Sequence, residues 1–158
     1  MKRDSERFAV MYEAIYQDLY RFALCLMQNT HDAEDAVSEA VMNAYEHMEA
    51  LRNEEAFKSW IFTILANVCR KKWKKQKKEK EKEALSFFAR EEDSDLEQAV
   101  DIRNAFDALS EEEKMIVGFS VFGGYQSDEI GKVLDRRPAT VRSIRARALE
   151  KMGRILQK

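Results

Sequence analysis

The sequence predicts an all-α protein: two small helical domains joined by a charged flexible linker, the C-terminal one a helix-turn-helix. Three observations carry this. Apolar residues recur at spacings of three and four, and period-two runs of the kind a half-buried strand needs are nearly absent. A single proline and five glycines in 158 residues leave few positions that break a helix. The stretch from Lys77 to Asp95, KKEKEKEALSFFAREEDSD, loses the periodicity and is too highly charged to pack by itself. The expected division is residues 1–78, a linker at 79–95, and residues 96–158.

Taken in order, Phe8, Met11, Tyr12, Ile15, Leu19, Phe22, Ala23 and Leu26 define a core-facing helix from about residue 5 to residue 28. Asn29-Thr30-His31 breaks it. Asp32, Glu34 and Asp35 then fall in the first turn of a second helix, where the helix dipole favours carboxylates. Its inner set runs from Ala33 to Met48, leaving Asp35, Glu39, Met42, Glu46 and Glu49 outside, either as a solvated face or as a docking face for a basic partner. A third helix carries Phe57, Trp60, Ile61, Ile64, Leu65 and Val68 inward and continues into Arg70, Lys71, Lys72, Trp73, Lys74 and Lys75. Such a helix can lie along a phosphate backbone, with Ser59, Thr63 and Asn67 on its outer side able to reach bases. A lysine-rich helix end is also a common solvated spacer.

Beyond the linker, where Phe87 and Phe88 are candidates for docking, order returns with Leu96, Ala99, Val100, Ile102, Phe106 and Leu109. Ser110 to Glu113 has the capping-box pattern, followed by Met115, Ile116, Phe119 and Phe122 and a stop at Gly123-Gly124. Ser127 to Leu134 opens on a residue able to cap and places Ile130, Val133 and Leu134 on one face. Gly131 marks a close crossing by a second helix. Asp135-Arg136-Arg137 forms the turn, and Pro138 fits the first turn of the next helix, where its missing N–H has no partner anyway.

On that last helix Val141, Ile144, Ala148, Met152 and Ile155 make one apolar stripe. Opposite lie Ala139, Arg142, Ser143, Ala146, Arg147 and Glu150, with Thr140 near the start and Arg145 beside the stripe. Arginine can bond a guanine edge with two hydrogen bonds, and short neighbours let a helix sit deep in the major groove. The face therefore suits base reading, against the plainer alternative of a basic amphipathic hairpin inside a bundle.

Charge is segregated along the chain. Counting Lys and Arg against Asp and Glu, residues 1–69 carry −6, residues 70–82 carry +7, residues 83–113 carry −9 and residues 135–158 carry +6. Two basic blocks alternating with acidic ones suggest two separate DNA contacts and acidic surfaces for protein partners. The chain has no apolar run long enough to cross a bilayer and no hydrophobic segment at MKRDSERF, so a cytoplasmic protein is expected. Cys25 and Cys69 sit in apolar helical patterns that favour reduced, buried thiols, and His31 and His47 lack partners at ligand spacing. Neither a metal nor a cofactor is expected. With no nucleophile–base pair and no phosphate-binding glycine loop, the expectation is that the chain is not an enzyme.

Taken together, these motifs resemble a bacterial RNA polymerase sigma factor of the extracytoplasmic-function (ECF) group. Leu19 to Met48, with DAEDAVSEAV at Asp32 to Val41, is similar to the helix pair of the second conserved region that docks on the polymerase clamp helices. Phe57-Lys58-Ser59-Trp60-Ile61 and Ile64-Leu65-Ala66-Asn67 resemble the part that melts and reads the minus-ten element. Leu109 to Met152, with DEIGKVL and TVRS, resembles the fourth conserved region, which reads the minus-thirty-five element.

The resemblance implies polymerase contacts at Asp32, Glu34, Asp35, Ser38 and Glu39. It implies downstream DNA contacts at Leu51, Arg52, Asn53, Ser59, Thr63, Asn67, Arg70, Lys71 and Lys74, the loop around Leu51 to Glu55 holding a flipped base. Upstream contacts fall on Arg136, Arg137, Thr140, Arg142, Ser143, Ala146 and Arg147. Ser38 stands where the family commonly has Gln, and Ile144-Arg145 reverses the usual Arg-Leu order. Core polymerase, promoter DNA and an anti-sigma protein are the implied partners. The alternative is a stand-alone helix-turn-helix regulator that acts without polymerase and leaves the aromatic, lysine-rich third helix unexplained.

Overall fold

The structure is a computed structural model that describes residues 2–82 and 97–157, and among these all regular structure is helical. The helices are α1 (Lys2–Met27), α2 (Thr30–Glu46), α3 (Phe57–Lys82), α4 (Glu97–Asp107), α5 (Glu111–Val121), α6 (Ser127–Leu134) and α7 (Pro138–Leu156). Two short 3-10 turns, Met48–Ala50 and Glu54–Ala56, separate α2 from α3. Residues 83–95 of the expected linker, Phe87 and Phe88 among them, lie outside the described residues, as do the side chains of Leu96, Ala99 and Val100.

The first three helices pack on one another as the apolar periodicity requires. Phe8, Leu19, Phe22, Ala23 and Leu26 of α1 are buried against Ala33, Ala36, Val37, Ala40 and Ala44 of α2 and Phe57, Ile61, Leu65 and Val68 of α3. The α1–α2 turn is tighter than a three-residue break. Gln28 ends α1 in the left-handed region with φ +67°, and Asn29 caps α2 by accepting the Asp32 N–H at 2.8 Å. The helix therefore starts at Thr30, and only Asp32 of the three expected carboxylates lies in its first turn. Far along α3, the Trp73 indole N–H donates to the Leu26 carbonyl at 3.0 Å, which ties the cationic end of α3 to the end of α1.

A second core forms where Ala105, Phe106 and Leu109 of α4 meet Val117 of α5 and Ala148 and Met152 of α7. Ile102 departs from its expected core role. It is 49% exposed, because the cover given by these neighbours begins only at Ala105. The Ser110–Glu113 capping box at the start of α5 is formed in both directions. The N-cap of α6 is Gln126 rather than Ser127; the Glu129 carboxylate accepts the Gln126 N–H at 3.0 Å, and Ser127 is buried inside the first turn. Gly131 is close-packed as expected, yet what approaches it is not a helix. A Cβ there would lie 2.4 Å from the Arg136 carbonyl, and the Arg136 N–H returns a bond to the Gly131 carbonyl at 2.9 Å. Asp135, at φ +55°, supplies the left-handed residue that closes α6, and Pro138 opens α7.

Helix α3 is buried on two faces. Besides the expected inner set, Phe62, Ala66 and Cys69 are fully buried on a second stripe. Phe62 stacks on Phe22 at 5.4 Å between ring centres, and Phe22 meets Phe119 of α5 at 5.0 Å. The two halves of the chain thus share an apolar core. Each aromatic pair adds about 0.5–1.5 kcal/mol beyond area burial, more than an exposed ion pair such as Lys58–Asp18 contributes. Tyr125, just before α6, packs on Phe119 at 4.6 Å and reaches α3.

Burial raises the thiols of Cys25 and Cys69 to about 12, and burial likewise raises the Tyr125 hydroxyl to about 12. A group that resists ionisation in the folded state stabilises the fold fully below its unfolded pKa, and that contribution is lost as pH rises toward the folded value. Stability to urea is therefore expected to be lost steadily above about pH 8.5, the ordinary thiol range, and on toward 12. A urea midpoint that stays flat over that interval contradicts this burial. Trp73→Phe is expected to lower stability by about 1 kcal/mol through loss of its one polar bond.

Candidate nucleic-acid interface and docking face

Three exposed features converge on macromolecular binding. On α7, Thr140, Arg142, Ser143, Ala146 and Arg147 are all exposed, and Arg137 immediately precedes the helix, also exposed. Val141, Ala148 and Met152 are buried on the opposite side, so packing against α5 and α6 fixes which side of α7 faces outward. Arg145 lies half-buried beside the stripe, as its position predicts. Arg137 and Arg142 make no ion pair among the described residues.

Arg136, expected among the upstream DNA contacts, is engaged within the chain. Its guanidinium grips Glu112 of α5 with two of its nitrogens, Nε at 2.7 Å and Nη2 at 3.4 Å. Arg147 lies back along α7, its Nε donating to the Ser143 carbonyl at 3.4 Å, over a shallow recess lined by Glu112, Glu113, Glu150, Lys151 and Arg154. In that recess Glu113 feels opposed influences. Burial raises its carboxyl, but the Ser110 N–H and the Lys151 ammonium at 3.1 Å outweigh it and hold the group below its usual value. The upstream flank of the recognition face is thus lined with carboxylates, and Arg142 and Arg137 are its unneutralised cations.

Along α3, Ser59, Thr63, Asn67, Arg70 and Lys74 fall within about 80° at 100° per residue, a single stripe. Asn67, Lys71 and Lys74 are exposed and Arg70 is half-buried. The first two positions, Ser59 and Thr63, are only half-exposed. Tyr125 covers them: its hydroxyl donates to the Ser59 carbonyl and lies 3.1 Å from the Thr63 hydroxyl, which itself donates to Ser59 at 2.8 Å. Ser59 and Thr63 were expected on an outer surface; both are half-buried, at the edge of the contact that the second buried face of α3 makes with Tyr125. The loop Leu51-Arg52-Asn53 stands between the two 3-10 turns with Arg52 and Asn53 exposed. It is held at both ends, by the Leu51 N–H on the Met48 carbonyl at 3.0 Å and by the Asn53 side chain capping the Ala56 N–H at 2.9 Å.

The outer face of α2 presents Glu34, Asp35, Ser38, Glu39, Met42 and Glu46, all exposed, with Met42 64% exposed among the acids. His31 reaches Asp35 at 3.4 Å and Lys72 reaches Glu39 at 3.7 Å. Asp32 does not join this face. Its carboxylate is half-buried and accepts from Asn29 and from Gln76 of α3 at 2.8 and 2.9 Å, which makes it a brace between helices. His31, Asp32 and Asp35 do lie within 4.8 Å of one another, a proximity the sequence spacing did not signal, but their polar atoms are engaged in these contacts.

The comparisons with known proteins cover both halves. The description Sigma-70 region 2 matches residues 11–79, and Sigma-70, region 4 matches residues 99–152. The RNA polymerase sigma factor SigV of Bacillus subtilis (strain 168) is 31% identical over 138 residues, covering 86% of this chain and 82% of that protein. This chain belongs to the RNA polymerase sigma factors, in the extracytoplasmic-function group. The ECF RNA polymerase sigma factor SigM of Mycobacterium tuberculosis (strain ATCC 25618 / H37Rv) is 23% identical, with 97% of this chain and 79% of that protein aligned. The fold matches that of the sigma factor RpoE in its co-crystal structure with the anti-sigma factor NepR from Bartonella quintana, at a TM-score of 0.79 and 20% identity, over 99% of this chain and 98% of that one. A sigma factor is a non-catalytic initiation factor that directs polymerase to promoters, and matches to both regions disfavour a regulator built from the helix-turn-helix alone. No described helix is long and apolar enough to cross a membrane.

Sequence reasoning missed Glu112, Tyr125 and Phe62. The second apolar stripe of α3 (Phe62, Ala66, Cys69, at spacings of four and three) was legible as a signal for two covered faces. Nothing local announced Glu112 as the partner of an arginine 24 residues away. Glu112→Gln releases Arg136 and is expected to tighten binding of the whole chain to mixed duplex DNA and to steepen its salt dependence by about one counterion. Fluorescence anisotropy across a salt series measures both, and an unaltered slope means Arg136 does not reach phosphate.

Proposed function

We propose that the chain binds core RNA polymerase through the acidic face of α2 and reads promoter DNA with α7 upstream and with α3 and the Leu51–Asn53 loop downstream. The observation that carries this reading is the presence in one chain, in order, of matches to both sigma regions, each falling on an exposed face of suitable charge. Residues 1–78 form the docking and melting unit, residues 79–95 the connector, and residues 96–158 the upstream reader. The acids Glu34, Asp35 and Glu39, with Ser38 and Met42 between them, face a basic surface of polymerase.

Arg142, Ser143, Ala146, Arg147 and Thr140 enter the upstream major groove, flanked by Arg137 on the backbone and by Arg136 once Glu112 releases it. Downstream, Asn67, Arg70, Lys71 and Lys74 track the backbone while Ser59, Thr63 and the loop meet unpaired bases. Those contacts exist only after melting, so they shift the duplex toward its open form. The chain works in the cytoplasm, carries no chemistry of its own and needs no cofactor. An anti-sigma protein is its expected regulator.

Run-off transcription with purified core polymerase on genomic fragments tests the reading directly. Discrete transcripts that require this chain are expected; DNA binding without any such transcript points instead to the stand-alone regulator. Two variants separate the surfaces. Arg142→Ala is expected to cost roughly ten- to hundredfold in upstream-element affinity, as a lost base contact does, with polymerase binding intact. Asp35→Lys is expected to weaken polymerase binding and leave duplex binding intact, and the reverse pattern contradicts the assignment.

A further inference from the structure

We propose that Arg7 of α1 is a positioning residue for the capture of an unpaired base, acting through Glu54 on the Leu51–Asn53 loop. The inference rests on the assignment of that loop to such a base. Its evidence is a contact across 47 residues of sequence. The Arg7 guanidinium donates through Nε to the Glu54 carboxylate, and Glu54 is the residue that directly follows Asn53 and opens the second 3-10 turn.

The seat beneath this pair is aromatic. Phe8, next to Arg7, is buried and meets two rings edge-on, Tyr45 near the end of α2 and Phe57 at the start of α3, each with 5.4 Å between ring centres. Those rings stand on either side of residues 46–56, the segment that carries the loop, so one turn of α1 bears on both of its ends. About three turns further along the same edge of α1, Asp18 holds Lys58 of α3 at 3.5 Å. Two ion pairs thus join α1 to the start of α3 and the turn before it, and the pair made by Arg7 is the one beside the loop.

Electrostatics give the pair its role. Glu54 and Glu55 suit the first turn of a helical segment, where free N–H groups favour carboxylates. The same carboxylates repel the phosphodiester of a nucleotide that enters the loop beside them. Both are exposed, and Arg52 is the cation within the loop itself. Arg7 supplies a second cation, balances the charge at the loop's edge and holds the Glu54 carboxylate against α1. Its side chain is 46% exposed and that of Glu54 58%, and a pair in so much water is worth a factor of about five at most in an equilibrium. The pair is therefore a minor element of the fold, and its effect is read in how firmly a base is held.

The test uses the full chain bound to core RNA polymerase, with core polymerase alone as the blank, and a pool of short random-sequence single-stranded DNA as the probe. Sequencing the bound strands gives the preference for each base at each position, and far-UV circular dichroism verifies the helices. A base that is held less often is discriminated less. Arg7→Ala is expected to lower the strongest base preference about three- to fivefold with helicity and polymerase binding unchanged, and Arg7→Lys, which keeps a cation for Glu54, to retain most of it. In a Glu54→Gln chain, Arg7→Ala is expected to change nothing further, because the group through which it acts is gone. A merely structural role would not vanish in that background. Arg7→Ala that leaves the preference intact overturns the proposal, and so does an equal loss in the Glu54→Gln chain, which places Arg7 on the DNA itself. Either result leaves the proposed function standing. A parent complex that binds polymerase yet prefers no base sinks the loop assignment and this proposal together. A chain that fails to bind polymerase sinks the polymerase reading, and the same selection on the chain alone then decides the role of Arg7.

Discussion

The contact on which the arrangement depends is the wedge of Phe22 between Phe62 and Phe119, seated against the bare backbone of Gly118. It gives α3 a second buried face and brings residues of both halves into the larger of the two cores. Because dispersion and aromatic packing fall off steeply with separation, this contact is either fully made or absent. A Cβ at Gly118 would lie 2.3 Å from Phe22 Cε1, so this packing leaves no room for a side chain there.

The electrostatics follow a different logic. Charged residues on the candidate binding faces are already paired within the chain: Asp35 with His31, Glu39 with Lys72, Arg136 with Glu112. All are substantially exposed on at least one side, and pairs of this kind contribute about 0–1 kcal/mol. Such pairs hold the side chains extended and ready without binding them tightly, so a phosphate or a partner's cation can displace them at small cost. Asp32 is the contrast. Its two amide donors and half-buried position make it part of the frame that sets α3 against α2, and the exposed acidic face starts beyond it.

Local backbone devices fix the angle at which α7 is presented. Asp135 in the left-handed region, the Arg136 carbonyl against Gly131 and Pro138 at the first helical position leave the α6–α7 turn little freedom. The outward face of α7 is consequently set by sterics, and the charge pattern beside it is adjusted by Glu112 from a neighbouring helix.

Most of the architecture was legible in the residues alone. Periodicity located every helix, the capping box placed the start of α5, Pro138 placed the start of α7, and the motif order marked the family, because each of these signals acts within a few residues along the chain. The start of α2 at Thr30 and the cap of α6 at Gln126 were each missed by a residue or two, where more than one nearby side chain could cap and geometry chose between them. Only the tertiary structure decided that Ser59 and Thr63 face Tyr125, that Arg136 answers to Glu112, that Asp32 braces α3 and that Ile102 is uncovered. Each of these depends on which surfaces meet across tens of residues of intervening chain, and a stripe of apolar positions states that a face is to be covered without stating by what.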